Sequence, residues 1–308
     1  MRKAALLFNP DSGGSRKRRR ELDSAVAILS NGGVEAKLVL TDSREHATAE
    51  ARAQLAAGCD AIFACGGDGT IHNVMQVLAN SPTALGILPA GTANALAHDL
   101  GIPRNIPDAA RAALRFRTRR VALGKVSYTA LEGQALTRYF VVAAGVGADA
   151  HLFYKLHSGS KQSMGMMAYY TKTLNLWFTY NMRRFAAEWE DDSGSVKKAS
   201  LTEMMAVRIR DFGGIVHEMA PGAALERNDM RLILARTGSR MTYLSYVARC
   251  LLRRSWAVPG IDLEFSTRVR CESGESHENV YVEADGELIG KLPAEFTVVP
   301  DALTLLAP

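Results

Sequence analysis

Up to about Arg117 the chain alternates short, nearly unbroken apolar runs with stretches in which apolar residues recur every three or four positions. KAALLF, VEAKLVLT, DAIFACGG and ALGILP read as strands. Leu22, Ala25, Val26 and Leu29 fall at i, i+3, i+4 and i+7, and Ile71, Val74, Met75 and Leu78 share one helical face, so both stretches predict helices. A further helix is predicted over Ser43–Ala57, and a short one in TANALAHDL that stops at Gly101 with Pro103 beyond it. Strands that are apolar throughout, separated by helices, predict a parallel sheet covered on both faces.

After Arg117 the texture changes. RRVALGKVSYTAL, TRYFVVAAG, RRFAAEWED, LTEMMAVRIR, MRLILA, IDLEFSTRVRCES, NVYVEADGE, AEFTVV and ALTLLAP read as strands, many alternating, with Gly, Asp, Asn and Pro between them. Two helical stretches, Met164–Asn181 and Met241–Leu252, interrupt them. The fold class expected is therefore an α/β N-terminal domain with a parallel sheet, followed by an antiparallel β domain with a few helices. The expected division is residues 1–122 and 123–299, with 300–308 returning to the first domain.

Composition narrows this only modestly. A length of 308 residues suits two domains, and 47% apolar with 22% charged residues argues against disorder, collagen-like repeats and coiled coil. With 37 basic against 32 acidic residues the net charge is +5. That favours phosphate ligands or anionic lipid surfaces and is too little to imply nucleic acid. The four cysteines form no CxxC pair, which argues against a zinc ribbon or disulfide scaffold and fits a reducing compartment. The first apolar run, Ala4 to Phe8, is too short for a signal peptide, and no segment reaches the roughly 18 apolar residues of a membrane span. The expectation is a cytoplasmic protein that at most sits peripherally on the inner face of a membrane. The basic run Arg16–Arg20 reads as a solvated first turn of a helix.

The strongest chemical feature is Gly66-Gly67-Asp68-Gly69-Thr70, which follows a strand and opens a helix. Ligands gather at the carboxyl ends of strands in such sheets, glycines admit close backbone approach, and a helix N-terminus suits phosphate. Asp68 repels bare phosphate, so its presence makes sense with Mg²⁺ between them or with a hydroxyl to orient; the competing reading is a tight turn with an Asp N-cap. Asn9-Pro10-Asp11-Ser12-Gly13-Gly14 and Pro89-Ala90-Gly91-Thr92-Ala93-Asn94 follow two other strands. Each alone is a generic turn, but three such loops together would line one cleft with donors. There is no GxxxxGK[ST]. Gly145 to Ala150 matches G-x-G-x-x-A outside any clear βαβ unit and reads as a turn, and Ser158–Lys161 has no partner motifs. Val282-Glu283-Ala284-Asp285-Gly286-Glu287 reads first as a hairpin with Asp-Gly at its turn, and alternatively as paired carboxylates aimed into a cleft.

With NPxSGG ahead of GGDGT and PAGTAN behind it, the chain resembles the diacylglycerol kinase-like lipid kinases, a group that includes bacterial lipid kinases and is similar to sphingosine and ceramide kinases. The GGDGT core is shared with NAD kinases. The resemblance is closest over residues 9–103, weaker at Phe212-Gly213-Gly214 and Asp285-Gly286-Glu287, and thin elsewhere. It implies ATP-dependent phosphorylation of a lipid hydroxyl by an α/β nucleotide domain and a β-sandwich domain, with the active site in the cleft between them. It further implies that Asn9, Pro10, Ser12, Gly13, Gly14 and Thr41 contact nucleotide. Gly66, Gly67, Asp68, Gly69 and Thr70 would hold phosphates and ATP-borne Mg²⁺, and Gly91, Thr92 and Asn94 would complete the wall. Glu287 matches the family's proton acceptor, with Asp285 beside it.

Several positions depart from the family's pattern. His72-Asn73 stand where Asn-Glu is common, Ala95 and Ala122 replace aspartates, and Arg227-Asn228 occupy a loop that often carries a metal-binding Asp-Gly, which argues against a structural metal there. Two rivals follow: a kinase for a soluble metabolite such as NAD, and a nucleotide- or lipid-binding protein with weak catalysis. Both long helical stretches carry aromatic and apolar residues, and Met241–Trp256 adds Arg249, Arg253 and Arg254. Core packing explains them as well as contact with an anionic membrane does.

Overall fold

The computed structural model describes residues 1–10, 16–91, 93–147, 182–213, 218–254, 256–274 and 279–308. Ser12, Gly13, Gly14, Thr92, Gly214, the Ser158–Lys161 motif and the helical stretch Met164–Asn181 lie outside the described residues. The chain divides into two compact units. One gathers Met1–Leu123, a short stretch beginning at Asp211, and Val299–Pro308; the other takes Gly124–Arg210 and the stretch ending at Val298.

The first unit is a parallel sheet with helices. Its strands are β1 (Lys3–Phe8), β2 (Glu35–Leu40), β3 (Ala61–Gly66) and β4 (Ala84–Pro89), in the spatial order β4-β3-β1-β2. β3 and β4 are buried at every position, as expected of strands covered on both faces. The helices are α1 (Arg16–Asn31), α2 (Arg44–Ala56), α3 (Asp68–Leu78), α4 (Ala95–Asp99) and α5 (Ile106–Ala113). α1 packs with α5 and α2 with α3. Leu22, Ala25 and Leu29 of α1 are fully buried, as their spacing predicts. Ser43 caps α2 by accepting from the His46 N–H. α5 is an element the periodicity reading did not assign; its signal was Asn105 as N-cap with Pro107 and Asp108 in the first turn.

In this order β1 runs to β2 on one side, and the chain then returns to β3 on the other. The carboxyl ends of β1 and β3 therefore flank the point where the direction of winding reverses, the usual crevice for ligands in such sheets. The end of the chain also joins this sheet: Leu305 lies in register beside Leu85 of β4, parallel to it.

The second unit is antiparallel. Its strands are the later part of β5 (Arg117–Thr129), β6 (Ala135–Phe140), β7 (Ala143–Gly147), β8 (Phe185–Glu190), β9 (Val196–Leu201), β10 (Glu203–Val207), β11 (Met230–Ala235), β12 (Ile261–Ser266), β13 (Arg268–Ser273), β14 (Tyr281–Ala284) and the first part of β15 (Glu287–Ala307). β7 sits between β10 and β14; β11 and β12 extend one side, while β13, β8 and β9 run on from β15. β8 alternates strictly between buried and exposed, and its inward Trp189 and Phe185 join Phe140 and Phe296 in one core. Among the described residues of this unit is one helix, α6 (Arg240–Leu251), capped at Ser239.

Three strand expectations needed correction. TRYFVVAAG is two strands, not one, because the N–H groups of Val141, Val142 and Ala143 turn to the Asp285 carboxylate instead of a neighbouring strand. IDLEFSTRVRCES breaks at Thr267, where Ser266 Oγ donates to the Arg268 carbonyl. AEFTVV and ALTLLAP belong to the single long β15.

Candidate functional site

The GGDGT residues are built from both sides of a strand-to-helix junction. Gly66 ends β3, Gly67 is the N-cap of α3, and Asp68, Gly69 and Thr70 form its first turn, half-buried. No side chain caps α3. A Cβ on Gly66 would lie 2.3 Å from Thr70 Oγ1, so only glycine fits with the threonine there. This loop is fastened to the loop after β4. The Gly66 carbonyl accepts from the Ala90 and Gly91 N–H groups, at 2.9 and 3.2 Å. A Cβ on Gly91 would stand 2.5 Å from Gly67 Cα, a close backbone approach that requires glycine.

Asp68 does not act as an N-cap of its own helix. Its carboxylate accepts from the Asn94 N–H at 3.0 Å and the Ala95 N–H at 2.8 Å, so it caps α4. Asn94, at a left-handed φ of 51°, donates its side-chain amide to the Gly91 carbonyl at 2.9 Å. Its Oδ1 is buried and has no hydrogen-bond partner among the described residues. A cavity of about 390 Å³ opens beside Gly91 and Asn94, with His98 and Arg104 on its lining. Those two basic residues were not singled out from the sequence; their proximity to the PAGTAN loop was the available signal. On the β1 side, Asn9 and Pro10 leave the strand end, and buried Thr41 donates its N–H to the Phe8 carbonyl at 2.9 Å.

The other sequence-predicted pair lies in the second unit. β14 and β15 form a hairpin whose two loop residues, Asp285 and Gly286, both have positive φ, 49° and 79°, the geometry that Asp-Gly favours. The Asp285 carboxylate folds back onto three successive N–H groups, those of Val141, Val142 and Ala143, the shortest bond being 2.8 Å. Glu287 is half-buried and pairs with Arg138 Nη2 of β6 at 3.2 Å. Arg138 is a further site residue the sequence reading missed, since nothing local connects positions 138 and 287.

For a metal, the described residues offer little. No group of three or more His, Cys, Asp or Glu side chains gathers among them, and both oxygens of Asp68 already hold backbone N–H groups. A resident Mg²⁺ site does not fit these residues; magnesium that arrives on a nucleotide needs only one or two carboxylates. In the loop before β11, Arg227 binds Asp229 at 2.5 and 2.6 Å and stacks on Phe265 at 3.9 Å. The fully buried Arg208 guanidinium donates to the carbonyls of Leu225, Arg227 and Asp229, and burial pulls it down to about 10.

The diacylglycerol kinase catalytic domain matches residues 3–126, and the YegS C-terminal NAD kinase beta sandwich-like domain matches residues 140–307. The chain is 29% identical over 300 residues to a diacylglycerol kinase of Bacillus subtilis, covering 96% of this chain and 93% of that protein. It is 26% identical over 310 residues to one of Staphylococcus aureus, covering 100% and 93%. Among solved structures, a diacylglycerol kinase from Bacillus anthracis superposes with a TM-score of 0.72 at 19% identity, over 99% of this chain and 97% of that one. Yeast NADH kinase does so with 0.53 at 9%, over 100% and 84%. These structures bear out the fold, an α/β half followed by a β-sandwich. The two domain matches together cover nearly the whole chain, and on them it belongs to the diacylglycerol kinase-like lipid kinase family, whose members are phosphotransferases that use ATP.

Proposed function

We propose that this protein transfers the γ-phosphoryl group of MgATP to the hydroxyl of diacylglycerol or a closely related lipid. The observation that carries the reading is the fastening of the GGDGT and PAGTAN loops. Gly67 and Gly91 meet backbone to backbone, Asp68 is bound to the N–H groups of Asn94 and Ala95, and the buried Asn94 Oδ1 is left as an acceptor for a ligand's donor. The N-terminus of α3, uncapped by any side chain, suits polyphosphate, and the Asn94 acceptor suits a hydroxyl or amino donor of the nucleotide.

Phosphoryl transfer passes through a loose transition state, so the protein's work is positioning and charge stabilisation. The Gly66–Thr70 loop and the N-terminus of α3 hold the phosphates. Asn9, Pro10 and Thr41 line the nucleotide side, and Gly91 and Asn94 the other; Ser12, Gly13, Gly14 and Thr92 are assigned to the same walls by the family resemblance alone. Asp68 keeps the two loops in register, and its carboxylate would be the one to help hold magnesium brought by the nucleotide, which would neutralise phosphate charge. The lipid oxygen forms its bond to the γ-phosphorus as the bond to the ADP oxygen breaks, and the hydroxyl proton passes to the Glu287 carboxylate. A carboxylate is a weak base, but in a loose transition state the proton leaves late and modest basicity suffices. Arg138 fixes the Glu287 side chain, and Asp285 fixes the hairpin that carries it.

The test is a phosphotransfer panel with labelled ATP and diacylglycerol, monoacylglycerol, sphingoid bases, ceramide and NAD. Turnover with one of the lipids supports the reading. Turnover with NAD alone replaces it with a soluble-metabolite kinase, and saturable nucleotide binding without turnover replaces it with a binding protein.

A further inference from the structure

α6 carries apolar residues on its exposed side as well as its buried one. Its inward side carries Tyr246, Arg249 and Cys250, all buried. The Tyr246 hydroxyl donates to the Met219 carbonyl at 2.6 Å, and Arg249 lies over the Tyr246 ring at 4.3 Å. Its outward side carries Met241, Leu244, Val247 and Leu251, spaced to fall along one face, and Leu252 and Trp256 continue the row past the helix end. Six of the twelve exposed large hydrophobic side chains among the described residues lie in this one stretch, with Met241 at 73% and Leu252 at 64% exposure. A contiguous apolar row left in water on one side of a helix has an unmet partner, because surface helices normally turn polar residues to solvent.

The charges around the row say which partner. Arg253 and Arg254 are exposed immediately beyond the helix, and no Asp or Glu occurs between Arg240 and Ile261. The row is therefore bordered by positive charge without compensation from its own segment. A second copy of the chain would set these arginines against their own kind. A bilayer surface with anionic headgroups satisfies both features: acyl chains take the apolar row, headgroups take the guanidinium groups, and Trp256 sits where indole rings prefer to lie. α6 has twelve residues, so it can lie in the interface but not cross it.

We propose that the outward face of α6, continued to Trp256, docks the protein on anionic bilayers. The purpose of this docking, access to a lipid hydroxyl, rests on the function proposed above; the docking itself can be measured without catalysis. The full chain is co-sedimented, without nucleotide, with vesicles of phosphatidylcholine alone or mixed with phosphatidylglycerol. The expected result is binding to the mixed vesicles that weakens as salt is raised. The variants L244E/V247E and R253E/R254E change only exposed residues and should keep the wild-type Tm while losing vesicle affinity roughly tenfold or more. Their phosphotransfer to short-chain diacylglycerol dispersed in detergent should be unchanged.

Wild-type failure to bind mixed vesicles, or variants that fold normally and bind as wild type does, would overturn the docking. So would sedimentation velocity showing that the same substitutions dissociate a dimer. Vesicle binding without phosphorylation of any lipid would leave the docking intact and remove the kinase reading.

Discussion

Asp285 and Glu287 stand two positions apart, yet their carboxylates have different partners: three backbone N–H groups for one, the Arg138 guanidinium for the other. Their replacements should separate accordingly. Glu287→Gln should lower turnover about 10²–10⁴-fold with little change in Tm, the usual range for a lost proton acceptor. Asp285→Ala leaves three N–H groups without their acceptor and should cost about 2–3 kcal/mol of stability before any kinetic effect is considered. Thermal denaturation of both variants beside their turnover numbers checks the division, and an Asp285→Ala protein with wild-type Tm would refute it. Arg208 poses a similar question in the second unit. Arg208→Met strips three carbonyls of one loop of their donor and should destabilise by about 3 kcal/mol or more, measured by urea unfolding. The sequence made Asp285 and Glu287 visible as a motif and left Arg208 invisible. A buried arginine looks like any other until the carbonyls of Leu225, Arg227 and Asp229 close around it.

At the scale of elements, the informative contacts join ends of strands and helices. Gly91→Ala would force its Cβ to within 2.5 Å of Gly67 Cα, so the two loops must part. The expected outcome is a loss of about 1–3 kcal/mol and weaker ATP binding, read by calorimetric titration. At the opposite, amino-terminal ends of the strands, Asp60 ties the start of β3 to β1 by accepting from the N–H groups of Arg2 and Lys3, which hold its carboxyl below the ordinary range. A carboxyl depressed on folding stabilises above its unfolded value, near pH 4, and loses that contribution as pH falls through the folded value. Asp60→Asn should therefore lower Tm at neutral pH, and the gap from wild type should close in acid. A gap independent of pH would exclude this account. Arg253, the residue after the cap of α6, holds a left-handed φ of 51° where glycine is cheaper. Arg253→Gly should gain stability, by up to about 1 kcal/mol, while weakening vesicle binding.

At the scale of the whole molecule, two kinds of sheet require two kinds of sequence, and this difference is what made the fold class readable. β3 and β4 are covered on both faces, so they are apolar at every position; β8 faces a core on one side only, so it alternates. No helix among the described residues is long and apolar enough to cross a membrane. The charge of +5, ambiguous alone, becomes interpretable once Arg253 and Arg254 are found beside an exposed apolar row. Cation use should also be simple. The carbonyls before β11 are bound by Arg208 and the Asp229 carboxylate by Arg227, so a chelator should leave the Tm of the nucleotide-free protein unchanged. Turnover should need added Mg²⁺ in proportion to ATP.

The sequence by itself determined the period of most elements, the burial of their faces, the glycine-rich turns after the strands and the hairpin at Asp285-Gly286, because these depend on residues close together in the chain. Tertiary structure alone decided that Asp68 caps α4 and not its own helix, that Gly67 and Gly91 meet, that Arg138 pairs with Glu287, and that TRYFVVAAG breaks where Asp285 reaches it. Each of these joins residues more than twenty positions apart, and one extra Cβ or one missing acceptor would forbid it. Local propensity carries no record of such pairings; they exist only once the sheets have closed.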